Sequence, residues 1–160
     1  MPKFQRHTVL SVIVLAGLAI SPIAISHYND KEAPQSYRQS WFALIAANFG
    51  PMVSMVKGEI PWQEMQMAGY ADQLAALTTL DIMRGFADGS DKGTTRAKPE
   101  IWQNMPDFQN KMEDFKNAVN ALKIIADQGT DRKAIATQVA ATGKACKACH
   151  DEYKSKNYLY

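Results

Sequence analysis

Between Phe108 and Ile125 the apolar residues of this chain return at intervals of three and four: Phe108, Met112, Phe115, Val119, Leu122, Ile125. That spacing keeps to one side of a 3.6-residue turn and predicts a helix with a single buried stripe. Three further stretches carry the same period, whereas sustained residue-by-residue alternation and an Asn-Gly hairpin turn are missing from the sequence. Four stripes of this kind can be hidden from water only against one another. The expected fold is all-α, an antiparallel up-down-up-down four-helix bundle, whose core is where such folds build cofactor sites.

The first helix is expected from about Pro34 to Gly58, with Tyr37, Trp41, Leu44, Ile45, Asn48, Phe49, Met52 and Val56 on or near one face. Pro51, after Gly50, predicts a kink or a loosened turn, because proline has no N–H for the carbonyl four residues back. The second helix should run from about Trp62 to Met83 and carry Met65, Leu74, Leu77 and Leu80. "GFADGSDKGTTRAKPEIWQNMP" then breaks the pattern with Gly, Asp, Ser, Thr and Pro. It predicts a long surface connection of the kind that covers or builds a site. Asp107 is the expected N-cap of the third helix, which Gly129 ends. Thr130 or Asp131 is expected to cap the fourth, which carries Ile135, Val139 and Thr142 towards Tyr153.

The first 26 residues have a basic start (Lys3, Arg6), an apolar run from Val9 to Ile20, and Pro22 ahead of Ala24-Ile25-Ser26. This order is that of a secretory signal peptide, with cleavage expected before His27 and residues 27–160 forming one domain. The apolar run is short of the ~20 residues a spanning helix needs, so no stable membrane anchor is expected after cleavage. Residues 1–26 hold two cations and no acid, so their removal takes the formal charge from +2 to 0. A neutral chain has no basic footprint for nucleic acid.

Both cysteines and one of three histidines lie in the pentapeptide Cys146-Lys147-Ala148-Cys149-His150. Cys-x-x-Cys-His is the attachment signature of a c-type haem. On a helix the two thiols share a face and the imidazole is one step further round, so each thiol can reach a vinyl group while the ring faces the iron. A closed zinc site needs four ligands, and apart from this motif the chain offers only His7 and His27, in or beside the leader. A thioredoxin-like pair expects a strand-helix-strand setting, and two plain buried cysteines are the remaining alternative. One covalently bound haem c is the reading preferred over these. Any sixth ligand must come from an earlier helix, since every internal methionine precedes the motif.

The segment from about residue 34 to 156 resembles the cytochrome c′ family. The resemblance rests on "YRQSWF" (37–42), "FGPMVSMVKGE" (49–59), "KPEIW" (98–102) and "ATGKACKACHDEYK" (141–154), four blocks in the family's order. It implies a bundle with the haem on its last helix, His150 as axial ligand and Phe42 at the distal position, where low-spin relatives carry Met. Phenylalanine has no lone pair, so a five-coordinate, high-spin iron open to nitric oxide or carbon monoxide is implied. Arg38 and Gln39 are expected at the haem edge on propionate oxygens, with Lys98 and Glu100 as further candidates there. Lys154 is expected in the proximal pocket, its charge favouring reduced iron. A tryptophan that relatives place near the haem has no counterpart; its position falls near Gly85 or Phe86, and Phe86 is expected to keep an aromatic contact.

The resulting expectation is a periplasmic mono-haem cytochrome, not an enzyme, that binds diatomic gases and exchanges electrons with an unidentified redox protein. A plain electron carrier is the alternative. A homodimer through the first two helices is also implied, with Trp62, Met55, Met65 and Met67 as possible contacts or, equally, core.

Overall fold

The structure, a computed structural model, describes residues 29–129 and 131–159. The expected leader, its cleavage point and Thr130 lie outside the described residues. Four long helices form the bundle: α1 (Ala33–Lys57), α2 (Glu64–Leu77), α4 (Met105–Gln128) and α5 (Arg132–Tyr153). A short α3 (Glu100–Gln103), two 3-10 turns (Asp30–Glu32 and Ile82–Phe86) and two strands, β1 (Thr95–Ala97) and β2 (Lys154–Leu159), complete it. Helix α4 packs on α5 and α2, and α1 packs on α2 and on the 82–86 turn.

Local chemistry explains most of the boundaries. Pro34 sits in the first turn of α1, where no donor is lost. The helix continues through Pro51 and stops at Gly58, whose φ of 74° is open to glycine at little cost. Helix α2 ends at Leu77, six residues earlier than expected. There the Thr78 and Thr79 hydroxyls donate to the Ala75 and Ala76 carbonyls at 2.7 Å each, an alternative to further helical turns. Asp81 then starts the 82–86 turn by accepting from the Met83 N–H at 3.1 Å.

Helix α4 begins at Met105 with Asn104 in the cap position, so Asp107 is not the N-cap. Asp131 is a true cap: its Oδ1 accepts from the Lys133 and Ala134 N–H groups at 2.9 and 3.0 Å.

Met52, Leu74, Phe108, Val119, Leu122 and Ile135 are fully enclosed at the centre of the bundle, each burial stabilising by about 1.5–3 kcal/mol. The stripes overreached at Leu44, Met65 and Leu80, which are exposed. Met55 and Met67 are core residues, 4% and 1% exposed, and so are not free for contact between subunits. No helix of the described residues is long and apolar enough to cross a membrane.

The strands are the element that periodicity did not predict. They pair antiparallel, Thr95 opposite Leu159 and Ala97 opposite Lys154, with an irregularity between. Arg96 ties the ribbon across: Nε donates to the Ser155 carbonyl at 2.9 Å and Nη2 to the Lys156 carbonyl at 2.6 Å. The long connection is therefore folded back against the end of the chain, beside α5.

Candidate functional site

Helix α5 delivers the pentapeptide to the seam between α1, α4 and the ribbon. Cys149 and His150 border a cavity of about 140 Å³ together with Arg38, Gln39, Phe42, Phe86, Phe108, Tyr153 and Lys154. A second cavity, of about 180 Å³, shares Phe42, Cys149 and His150 with the first and adds Cys146, Phe49, Met112 and Phe115. Phe42, Cys149 and His150 thus border both spaces. The Phe42 and His150 rings are 6.4 Å apart, centroid to centroid, edge-on to one another. Trp41 braces Phe42 from the side at 4.9 Å.

Burial pushes the Cys149 thiol up to about 11 and the Cys146 thiol upward as well. Both are protonated thiols at neutral pH. His150 is shifted the other way, below its ordinary value, first by burial and then by the cations of Lys154 and Arg96. Its imidazole is therefore neutral at neutral pH and keeps a lone pair for a metal. Among the described residues no three His, Cys, Asp or Glu side chains converge where a metal ion could be held. The two thiols and the imidazole are not arranged as part of a closed zinc site. Two thiols on one helical face, an adjacent neutral imidazole, apolar walls and cations at the rim are a donor set that fits haem c, its macrocycle apolar and its propionates anionic.

Arg38 is tied to the protein itself. It is 3% exposed. Nη1 donates to the Gly85 carbonyl at 2.6 Å and to Ser90 Oγ at 3.0 Å. Nη2 donates to the Ser90 carbonyl at 2.7 Å and to Thr95 Oγ1 at 2.5 Å. Four of the five guanidinium N–H bonds are thereby given to the 82–97 connection, while the residue also borders the first cavity. The same group lies over the Phe86 and Trp102 rings at 5.3 and 5.8 Å, and burial lowers it to about 10. Gly85 makes this approach possible, since a Cβ there would stand 2.8 Å from Arg38 Cβ.

Gln39 borders the first cavity, but its amide donates to the Thr94 carbonyl at 2.6 Å. Lys98 is outside the cavity lining; Nζ donates to the Glu152 carbonyl at 2.7 Å, a cation on the last turn of α5. Glu100, exposed at the start of α3, is outside it too. The cations that border the cavity are Arg38, Arg96 and Lys154. Phe86 borders the first cavity, with its ring 4.6 Å from Phe108 and 6.1 Å from Trp102. Lys154 borders the cavity and continues from α5 with its N–H on the His150 carbonyl.

Sequence reasoning missed two groups. One is Tyr153, buried, whose hydroxyl donates to Asp107 Oδ2 at 2.6 Å. Lys111 bridges Asp107 and Glu152 at 3.3 Å each, which ties α4 to the last turn of α5. Asp107 is held below the ordinary carboxylate range, chiefly by Tyr153 and then by Lys111. The i, i+4 spacing of Asp107 and Lys111 was the available sign. The other is the ribbon pair Arg96 and Tyr158, which also border the cavity; nothing in their local sequence announces a strand.

Comparison with known proteins bears on the same residues. A family model described as Cytochrome C′ matches residues 33–154. Cytochrome c′ of Cereibacter sphaeroides is 35% identical over 147 residues, covering 90% of this chain and 97% of that protein. The solved structure of cytochrome c prime from Shewanella frigidimarina superposes with a TM-score of 0.75 at 42% identity, covering 80% of this chain and 99% of that one. A nitric oxide complex of a cytochrome c prime mutant from Alcaligenes xylosoxidans gives 0.70 at 34% identity, covering 78% and 96%.

Proposed function

The chain belongs to the cytochrome c′ family and is a mono-haem c-type cytochrome, and from that premise we propose that it binds nitric oxide or carbon monoxide reversibly at an iron with one protein ligand. Cys146 and Cys149 would hold the haem through thioether bonds, and His150 would give its lone pair to the iron. When bound, the haem would supply a redox-active metal able to take a diatomic ligand.

The observation that carries this reading is Phe42, its ring 6.4 Å from the His150 ring across the site. Phe42 has no atom to donate to a metal. It can fill space and exclude water, which leaves room for a diatomic and little for anything larger. The same residue weighs against a peroxidase, which wants a distal His, Arg or Gln; Arg38 and Gln39 are engaged with the 82–97 connection. We therefore assign no enzymatic role. The nitric oxide complex of a relative supports the gas-binding reading. Export to the periplasm and a homodimer through α1 and α2 complete the proposal.

A plain electron carrier with a six-coordinate iron has one observation in its favour. Met112 borders the second cavity with His150 and has a sulfur to offer. The absorption spectrum of the reduced protein, with and without carbon monoxide, separates the two. A high-spin spectrum that shifts on adding carbon monoxide is expected; a sharp low-spin band that ignores the gas would assign the protein to the carriers.

A further inference from the structure

Most of the chain's cations that flank a carboxylate do so along the helices. Lys57, Lys111, Lys116, Lys123 and Lys147 all enter ion pairs. Of the cations outside those pairs, Arg96, Lys98, Lys154 and Lys156 stand together on or beside the β1–β2 ribbon. Arg96 and Lys98 are held by the neutral carbonyls of Ser155, Lys156 and Glu152, which fix their positions and leave their charge uncancelled. Lys154 and Lys156 are exposed on β2.

The nearby acids are engaged elsewhere, Asp151 with Lys147 and Glu152 with Lys111. Across residues 94–100 and 154–159 four cations meet one carboxylate, Glu100, although from residue 27 on the chain has sixteen of each sign. A formally neutral chain has therefore gathered positive charge at one place. That place is the mouth of the cavity, since Arg96 and Lys154 border it with His150. Strand β2 also extends past residue 154, where the family match ends.

We propose that the β1–β2 ribbon is an electropositive docking face for an acidic redox protein. Complementary charge would steer that partner to the cavity mouth, speeding encounter and fixing orientation more than adding affinity. One electron passes between the iron and the partner's own redox centre, with no proton or atom transferred. The proposal rests on the electron-exchange part of the reading above.

The test uses the haem-loaded protein, ferricyanide as a small anionic oxidant and poly-L-glutamate as a model acidic partner. Oxidation by ferricyanide is expected to slow about tenfold as salt rises through the range where the Debye length shrinks from ~30 to ~8 Å. Poly-L-glutamate should compete with it and shift the NMR amide signals of Thr95–Ala97 and Ser155–Leu159, while poly-L-lysine does neither. The double variant Lys98→Glu/Lys156→Glu should lose both the salt slope and the amide shifts and keep the carbon monoxide spectrum. Lys156→Glu alone, which touches no hydrogen bond of α5, should lose about half.

Amide shifts centred elsewhere on the surface, or a salt slope that survives the double variant, would overturn the docking face. If ferricyanide fails to react while the ribbon amides still respond to poly-L-glutamate, the docking face stands and the electron-exchange reading falls.

Discussion

On the proposed reading, Phe42 decides the chemistry of the site by what it lacks. Its ring is 6.4 Å from that of His150 and braced by Trp41, and there it would fill the place from which a sulfur could close the iron's sixth site. Phe42→Met keeps the helix and most of the volume and adds a thioether. We expect it to convert the reduced protein to a low-spin spectrum that no longer responds to carbon monoxide; an unchanged high-spin spectrum would place Phe42 away from the iron. Arg38 governs a different property, the attachment of the 82–97 connection to α1. Removing it leaves two buried carbonyls and two hydroxyls without their donor. Hydrogen bonds to a charged group are worth ~1.5–3 kcal/mol each, but desolvating the cation offsets much of their sum. Arg38→Met should lower the urea unfolding free energy of the haem-loaded protein by about 3 kcal/mol. Arg38→Lys should recover less than half, because a lysine ammonium cannot reproduce the planar fork.

At the scale of elements, the bundle depends on how α4 and α5 are tied. Asp107 accepts from Tyr153 and pairs with Lys111, and both interactions hold its carboxyl below the ordinary range. The folded state therefore binds fewer protons than the unfolded state as pH falls below about 4. The stability this contributes is present above the unfolded value and is lost as pH drops through the folded one. Asp107→Asn should remove that part of the acid slope, seen as urea midpoints that vary less between pH 5 and 2.5. Helix α5 has a separate support in Asp131, and Asp131→Ala should cost about 1 kcal/mol in a urea unfolding titration. These elements were unequally legible. The α4 stripe was readable because Phe108, Phe115, Val119 and Leu122 hold one period and are all buried. The end of α2 was not, because Leu80 continues the apolar pattern after Thr78 and Thr79 have already turned the backbone. The ribbon left no trace, since three residues of β1 are too few to show alternation and its partner is at the far end of the chain. In the site, the thiols and imidazole were legible because attachment chemistry needs them contiguous. Arg38's partners were not, because Gly85, Ser90 and Thr95 reach it only through the folded connection.

At the scale of the whole molecule, the surface divides its tasks. The ribbon end carries cations beside the cavity, while apolar side chains stand exposed elsewhere, among them Leu44 on α1, Ile60 in the turn that follows it and Met65 on α2. Met65 is 90% exposed, on the same two helices through which a homodimer is proposed. Met55 and Met67 are already buried within one chain, so Met65 is the methionine of the expected set with most apolar surface left to bury. Trp62 is a weaker anchor, because Arg132 already covers its ring at 5.3 Å. Full burial of a methionine side chain is worth ~1.5–3 kcal/mol, which corresponds to roughly a 10- to 150-fold change in an association constant. Met65→Lys removes that gain and sets two like charges near each other across a two-fold axis. Sedimentation velocity over a dilution series should show the dimer dissociating at least about tenfold more readily in the variant, with the haem spectrum unaltered because Met65 is outside both site cavities. The ribbon supplies the control. Lys156→Glu should leave the dimer constant where it was, since docking of an acidic partner and self-association then use different faces. A dimer equally stable with lysine at position 65 would move the interface off α2, and a dimer weakened by Lys156→Glu would move it onto the ribbon.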